Sequence, residues 1–181
     1  MMYNFKMYMN RKQGFTLIEL MIVMVIMGIL VTIGVTAFTS SMIKGRDSTR
    51  KANLRAITNA LELYYNDKNK YPVWDSLGSI PGCYTIDLTA TGTCGKDYPV
   101  FKDSIANGAM YMAKFPIDPV SSQKYYYVSN ATGTQFQIYA HLENSQDPAI
   151  DPTIILKSYN CASGGGTSLC NWGLSSGNTN P

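Results

Sequence analysis

One acidic residue, Glu19, stands at the edge of a long apolar segment, where its charge requires a chemical partner. No charged residue follows it from Leu20 to Phe38. A carboxylate costs on the order of 2–3 kcal/mol toward the centre of a bilayer. Glu19 must therefore either pair with a cation or extend to the polar interface, and the sequence leaves both open. The chemistry that this position predicts is charge pairing in an apolar environment.

The apolar segment that positions Glu19 has the length and composition of a membrane span. As a helix, Leu20–Phe38 is about 29 Å long, close to the hydrocarbon core of a bilayer at about 30 Å. A helix that is apolar on every side belongs in lipid or in a protein core, so a buried helix of a soluble protein is the alternative. Lys6, Arg11 and Lys12 precede the segment. By the positive-inside rule they place residues 1–14 in the cytoplasm and the C-terminus outside.

The junction before the apolar segment combines a basic patch, a glycine, a phenylalanine and an acid. It reads Arg11-Lys12-Gln13-Gly14-Phe15-Thr16-Leu17-Ile18-Glu19-Leu20. This junction resembles that of the prepilin family, the precursors of type IV pilin-like proteins, and the likeness extends from Lys12 to about Leu30. The resemblance implies that a prepilin peptidase cleaves between Gly14 and Phe15 and that the new amine of Phe15 is methylated. It also implies that Glu19 pairs with this amine on a neighbouring subunit during assembly.

Beyond the apolar segment the pattern becomes amphipathic. Five apolar residues recur at three- and four-residue steps: Leu54, Ile57, Leu61, Tyr64 and Tyr65. The polar residues between them are Arg50, Lys51, Arg55, Asn59 and Glu62. This periodicity predicts a single helix from about Thr16 to Lys68. Gly45 followed by Asp47, a candidate N-cap, allows a break in it.

Four cysteines, all beyond the apolar segment, indicate disulfides if this part of the chain is exported to an oxidising compartment. They are Cys83, Cys94, Cys161 and Cys170, and three pairings are open. The local pairing, Cys83–Cys94 and Cys161–Cys170, is preferred because both bridges close short loops, and free buried thiols are the alternative. A zinc site is disfavoured because no spacing is CxxC and the one histidine, His141, is distant in sequence.

The rest of the chain predicts a head with an antiparallel sheet. Residues 73–124 are punctuated by glycine and proline and are expected to be irregular. Tyr125–Ser129 and Gln135–Leu142 are expected to be strands, the second with its apolar residues on one face, and a third strand is expected at Thr153–Leu156. The sheet would cover the apolar stripe of the helix.

The predicted fold class is therefore α+β, with a long helix packed against a small antiparallel sheet. The family resemblance implies the same ladle-shaped fold. The expected divisions are a cleaved leader (1–14), a membrane-spanning and assembly helix (15–40), the amphipathic half of the helix (41–70), and a head that ends in a C-terminal disulfide loop (71–181).

No constellation of side chains indicates catalysis, so an enzyme is not expected. A single histidine leaves little for acid–base chemistry, and no phosphate-binding loop precedes a helix. No cofactor is expected. Asp118, Asp147 and Asp151 could supply oxygen ligands to calcium, although solvated loop acids are the preferred interpretation. The residues after Lys68 include six lysines and eight acids, which disfavours a nucleic-acid partner.

The resemblance implies a structural subunit that polymerises through its N-terminal helix into an extracytoplasmic filament of the type IV pilus kind. One alternative is the major pseudopilin of a type II secretion system, because Phe115-Pro116-Ile117-Asp118-Pro119 before Tyr125-Tyr126-Tyr127 is similar to the segment before the sheet in those proteins. The loop between Cys161 and Cys170 is more similar to the disulfide loop of type IV pilins. An alternative of another class is a minor pilin that binds DNA or a surface ligand as an adhesin.

The same resemblance implies the partners and the location. The expected partners are further copies of the chain, the prepilin peptidase, an assembly platform in the inner membrane, and membrane lipid before assembly. The precursor is expected to cross the inner, cytoplasmic membrane once. The mature protein is expected in a filament at the cell surface.

Overall fold

The computed structural model describes residues 14–74, 78–84, 91–103 and 108–177. The chain divides into two compact units, Met1–Ser41 and Met42–Pro181. Apart from Gly14, the leader predicted at residues 1–14 lies outside the described residues.

A single helix, α1, forms Leu17–Lys68, close to the predicted bounds. Thr16 caps its start, because the Thr16 hydroxyl accepts the backbone N–H of Glu19 at 3.3 Å. The helix continues through Gly45, so the break that this residue allowed does not occur. The helix ends at Lys68 because Asn69 adopts a left-handed φ of 54°, a conformation that stops α-helices.

In the first unit, the described residues from Leu17 to Ser41 belong to α1. Their large apolar side chains are exposed, for example Leu20 at 57% and Phe38 at 65%. By length and composition, α1 is sufficient to cross a membrane. A helix with this much uncovered apolar surface requires lipid or other apolar helices around it.

The second unit contains a four-stranded antiparallel sheet in a region that the sequence predicts to be irregular. Its order is β2-β1-β3-β4, with β1 at Pro81–Tyr84, β2 at Thr91–Thr93, β3 at Val100–Lys102 and β4 at Met110–Met112. The prediction of an irregular region was therefore wrong for these residues. The strands are only three or four residues long, and some contain glycine or proline, so no alternating pattern reveals them.

A second antiparallel sheet has the order β5-β6-β7. Its strands are β5 at Tyr126–Ser129, β6 at Phe136–Ala140 and β7 at Trp172–Ser175. The first two were predicted, within one or two residues at each end. The turn between them requires Gly133, which has a φ of +67° and lies so close to the Tyr71 carbonyl that a Cβ atom would come within 2.7 Å of its oxygen.

The third strand predicted at Thr153–Leu156 was wrong. These residues belong to a short helix, α2, at Pro152–Leu156. Asp151 caps the helix by accepting the backbone N–H of Thr153 at 2.8 Å, and Pro152 occupies the first helical position, where a missing N–H costs nothing. The third strand of the sheet is β7 instead.

The core of the second unit combines the apolar stripe of α1 with both sheets. Leu54, Ile57 and Leu61 are at most 1% exposed and belong to one cluster with Phe101 of β3 and Phe136 of β6. Burying each of these side chains contributes about 1.5–3 kcal/mol. The predicted contact between the helix stripe and the sheet is therefore confirmed.

The opposite face of β6 is buried as well. Tyr139 is fully buried in a second cluster with Ile154 of α2 and with Cys161 and Cys170. The three-stranded sheet is thus covered on both sides, by the helix stripe on one and by the C-terminal segment on the other.

Candidate functional site

At the N-terminal junction, Glu19 lies in the first turn of α1. The Thr16 hydroxyl accepts the backbone N–H of Glu19, and the same hydroxyl donates to Glu19 Oε2 at 3.5 Å. Thr-x-x-Glu is the spacing of a capping box, and an acid in the first turn is favoured by the helix dipole. This second role of Glu19 was not predicted from the sequence, although the Thr-x-x-Glu spacing by itself indicates it.

The cleavage candidates Gly14 and Phe15 precede this cap without helical structure. Phe15 is 85% exposed. In the sequence, no lysine, arginine or histidine occurs between Lys12 and Lys44. The described residues of the first unit therefore offer this carboxylate no side-chain cation.

Arg50, predicted to lie on the polar side of α1, is fully buried. Its guanidinium binds Asp118 through two parallel hydrogen bonds of 2.8 and 2.9 Å. It also binds Asp47 at 2.8 Å and Glu143 at 2.7 Å. Burial by itself lowers the pKa of Arg50, but the hydrogen bonds to these carboxylates outweigh it and raise the pKa above its ordinary value. The guanidinium therefore stays charged and joins three separate parts of the chain.

Glu143 extends this network to the surface. It pairs with Arg46, whose Nε lies 2.9 Å from Glu143 Oε1. The hydrogen bond from Arg46, followed by that from Arg50, lowers the pKa of Glu143 to about 2. Asp47 accepts the backbone N–H groups of Glu143 at 3.0 Å and Asn144 at 2.8 Å. The segment after β6 is thus held to α1 by side chains and backbone together.

The three calcium candidates each have a protein partner. Asp118 binds Arg50, and both oxygens of Asp147 lie 2.7 Å from Lys51 Nζ. Hydrogen bonding to Lys51 keeps the pKa of Asp147 below its usual range, and Asp151 caps α2. Across the described parts of the chain, no group of three or more His, Cys, Asp or Glu residues is arranged to hold a metal ion.

The structure joins the cysteines in the local pairing. Cys83 of β1 is bonded to Cys94, which follows β2, and both pack into or against the main core. Cys161 is bonded to Cys170, and both belong to the buried cluster that contains Tyr139. His141 holds the second loop in place, because its Nδ1 lies 2.6 Å from the Leu169 carbonyl oxygen.

Comparison with known proteins matches residues 9–35 to the prokaryotic N-terminal methylation motif. The chain is 32% identical to the type II secretion system core protein G of Pseudomonas aeruginosa over 134 residues, which cover 73% of this chain and 85% of that protein. It is 41% identical to the type IV major pilin protein PilA of Myxococcus xanthus over 61 residues, 34% of this chain and 28% of the pilin.

A third relative is the type II secretion system core protein G of Escherichia coli, which is 33% identical over 63 residues, 35% of this chain and 43% of that protein. The matches to the Myxococcus pilin and the Escherichia protein therefore span less than half of those relatives. No solved structure matches the chain.

Proposed function

We infer the function from a family relationship, since the chain belongs to the type IV pilin-like family, which contains type IV pilins and the core protein G of type II secretion systems. The family predicted from the Gly14-Phe15 junction is confirmed. The protein is a structural filament subunit, and the observation that carries this conclusion is a methylation motif at residues 9–35 that includes the start of an exposed apolar helix.

Assembly proceeds through α1. Before assembly, lipid surrounds the exposed apolar side chains of the first unit, and in the filament the helices of neighbouring copies replace the lipid. Cleavage after Gly14 supplies the amine of Phe15, a positive charge that the apolar part of the helix before Lys44 lacks. Pairing of this amine with Glu19 of a neighbour removes an unpaired charge from an apolar environment, which otherwise costs several kcal/mol.

The other partners are the prepilin peptidase that releases Phe15 and an assembly platform in the inner membrane. The precursor crosses that membrane once, and the filament extends outside the cytoplasm.

The protein is not an enzyme and needs no cofactor. The cation partners of Asp118 and Asp147 support a head that folds without calcium. The acidic residues of the head disfavour the alternative of a DNA-binding adhesin.

The specific role as a pseudopilin is a second candidate beside the pilus subunit. The match to the Pseudomonas core protein G covers 73% of this chain, and that to the Myxococcus pilin covers 34%. Similarity that extends through the head favours the secretion role. Deleting the gene and measuring both sheared surface filaments and secreted enzymes separates the two. Loss of secretion with normal surface filaments supports the pseudopilin, and the reverse result supports the pilin.

The assembly mechanism is tested by Glu19→Ala and Glu19→Gln in cells with matched membrane levels. Both variants should reach the membrane but form few or no filaments, because each lacks the carboxylate. The control is Thr16→Ala, which removes the cap of α1 at a cost of about 0.5–2 kcal/mol and keeps the charge. It should still form filaments.

The mass of the N-terminus is measured for every variant, so that failed processing is not mistaken for failed assembly. The expected mature chain begins at Phe15 with a methylated amine. Normal filament yield from Glu19→Ala, or equal losses in Glu19→Ala and Thr16→Ala, would show that Glu19 acts only at the polar interface or as a cap.

A further inference from the structure

The chain passes between its two compact units, Met1–Ser41 and Met42–Pro181, only once, within α1. In the proposed filament, the subunits assemble through the part of α1 that belongs to the first unit. Any pull between the filament and the second unit therefore enters the second unit along α1, at Met42. A helix that is peeled from one end breaks its contacts in order, so the contacts nearest to Met42 take up the load first.

Four charged residues of α1 lie close to this entry point and bind the segment that follows β6: Arg46, Asp47, Arg50 and Lys51. Both arginines reach Glu143, at 2.9 and 2.7 Å. Asp47 accepts the backbone N–H groups of Glu143 and Asn144, and Lys51 Nζ lies 2.7 Å from both oxygens of Asp147. These four residues and the segment Glu143–Asp147 are called the entry clamp below.

The entry clamp differs from the later contacts of α1 in kind as well as in position. The buried apolar stripe begins at Leu54 and extends to Leu61. Apolar contacts are not directional, so they weaken gradually as two surfaces slide past each other. Charge-assisted hydrogen bonds are short and directional, and those of the clamp join α1 to a single short segment. They therefore share the load and resist the start of peeling together.

We propose that the entry clamp carries the mechanical load of the second unit and keeps α1 from peeling away when the filament is under tension. This inference rests on the proposed function, because a filament subunit is exposed to such a pull. Position is what gives the clamp this role. A similar ion pair of α1, between Lys68 Nζ and Asp103 Oδ2 at 2.7 Å, lies at the far end of the helix, where a pull that enters at Met42 arrives last.

The test pulls on single full-length chains in detergent micelles, held in optical tweezers by peptide tags at both termini. In Lys51→Met, the rate at which the second unit opens at a fixed force should rise about three- to fivefold, because a partly exposed ion pair is lost from the first contact to break. The matched control is Lys68→Met, since both lysines bind an aspartate at 2.7 Å and both pairs are partly exposed. The control should open at the rate of the unchanged chain.

Two further variants separate the lost pair from other effects of the substitution. Asp147→Asn removes the same pair from the other side and should behave like Lys51→Met, whereas Lys51→Arg keeps the pair and should open at the unchanged rate. Without force, the urea midpoints of Lys51→Met and Lys68→Met should be alike, because partly exposed pairs contribute similar small amounts.

The proposal is overturned if Lys51→Met and Lys68→Met open equally fast under force, if neither opens faster than the unchanged chain, or if the opening rates simply follow the urea midpoints. The last result would mean that the clamp only adds stability. Because single chains are pulled, these outcomes do not depend on filament formation, which the Glu19 variants test separately.

Discussion

Replacing Arg50 by methionine should destabilise the second unit far more than any other single loss of charge on α1. Arg50 is fully buried, and its guanidinium lies 2.7–2.9 Å from oxygens of Asp47, Asp118 and Glu143. Methionine occupies a similar length but leaves these carboxylates without their shared cation. Removing one partner of a buried ion pair costs about 3–5 kcal/mol, a large part of a typical stability of about 5–15 kcal/mol.

The measurement is urea unfolding of the full-length chain in detergent, followed by the fluorescence of the buried Trp172. If the free energy of unfolding falls by about 2 kcal/mol per M of urea, the urea concentration at the unfolding midpoint should fall by about 1.5–2.5 M. The matched control is Arg55→Met on the exposed side of α1, which should change the stability by no more than about 0.5 kcal/mol. Adding Asp118→Asn to Arg50→Met should recover part of the loss, since one uncompensated carboxylate disappears.

Two results would refute this reasoning. If Arg50→Met shifts the midpoint no more than Arg55→Met does, the buried ion network contributes little net stability. If Asp118→Asn deepens the loss instead of relieving it, the carboxylate is stabilised by groups other than Arg50, such as the backbone N–H of Val120 at 2.8 Å.

Three further predictions concern the second disulfide, the Arg46–Glu143 pair and the calcium candidates. Replacing Cys161 and Cys170 by serine should lower the free energy of unfolding by about 2–3 kcal/mol, because the bridge closes a short loop in the unfolded chain; unfolding that is insensitive to reductant would contradict this. The low pKa of Glu143, about 2 against an ordinary 4.5, contributes stability that is complete above pH 4.5 and is lost as the pH falls toward 2. In Arg46→Met, the Tm should therefore fall less steeply between pH 4.5 and pH 2 than it does in the unchanged protein. Excess calcium should not raise the Tm above its value in EDTA, because Asp147 is already paired with a lysine; a calcium-dependent rise would indicate a metal site.

The sequence by itself determined the features that depend on neighbouring residues. The uncharged run after Glu19 predicts a membrane-length helix because hydrophobicity and helical rise are local quantities. The steps from Leu54 to Leu61 predict the buried stripe, and alternation around Ile138 predicts the central strand. The junction at Gly14 and Phe15 indicates the family, since a peptidase recognises a short stretch of consecutive residues, which the sequence shows directly.

The tertiary structure decided what depends on partners distant in the chain. Arg50 lies four residues before Leu54, on the same face of the helix, yet an arginine in the sequence predicts an exposed side chain. The structure buries its guanidinium because the distant Asp118 and Glu143 offset the cost of removing the charge from water. The strands β1–β4 are too short to show a periodic pattern, and their order depends on pairing between segments. Thr153–Leu156 has the composition of a strand, but the distant segment Trp172–Ser175 pairs with β6 at that edge of the sheet instead. In each case a contact made only on folding outweighs the local preference, because burial and hydrogen bonding act between segments that the linear sequence keeps apart.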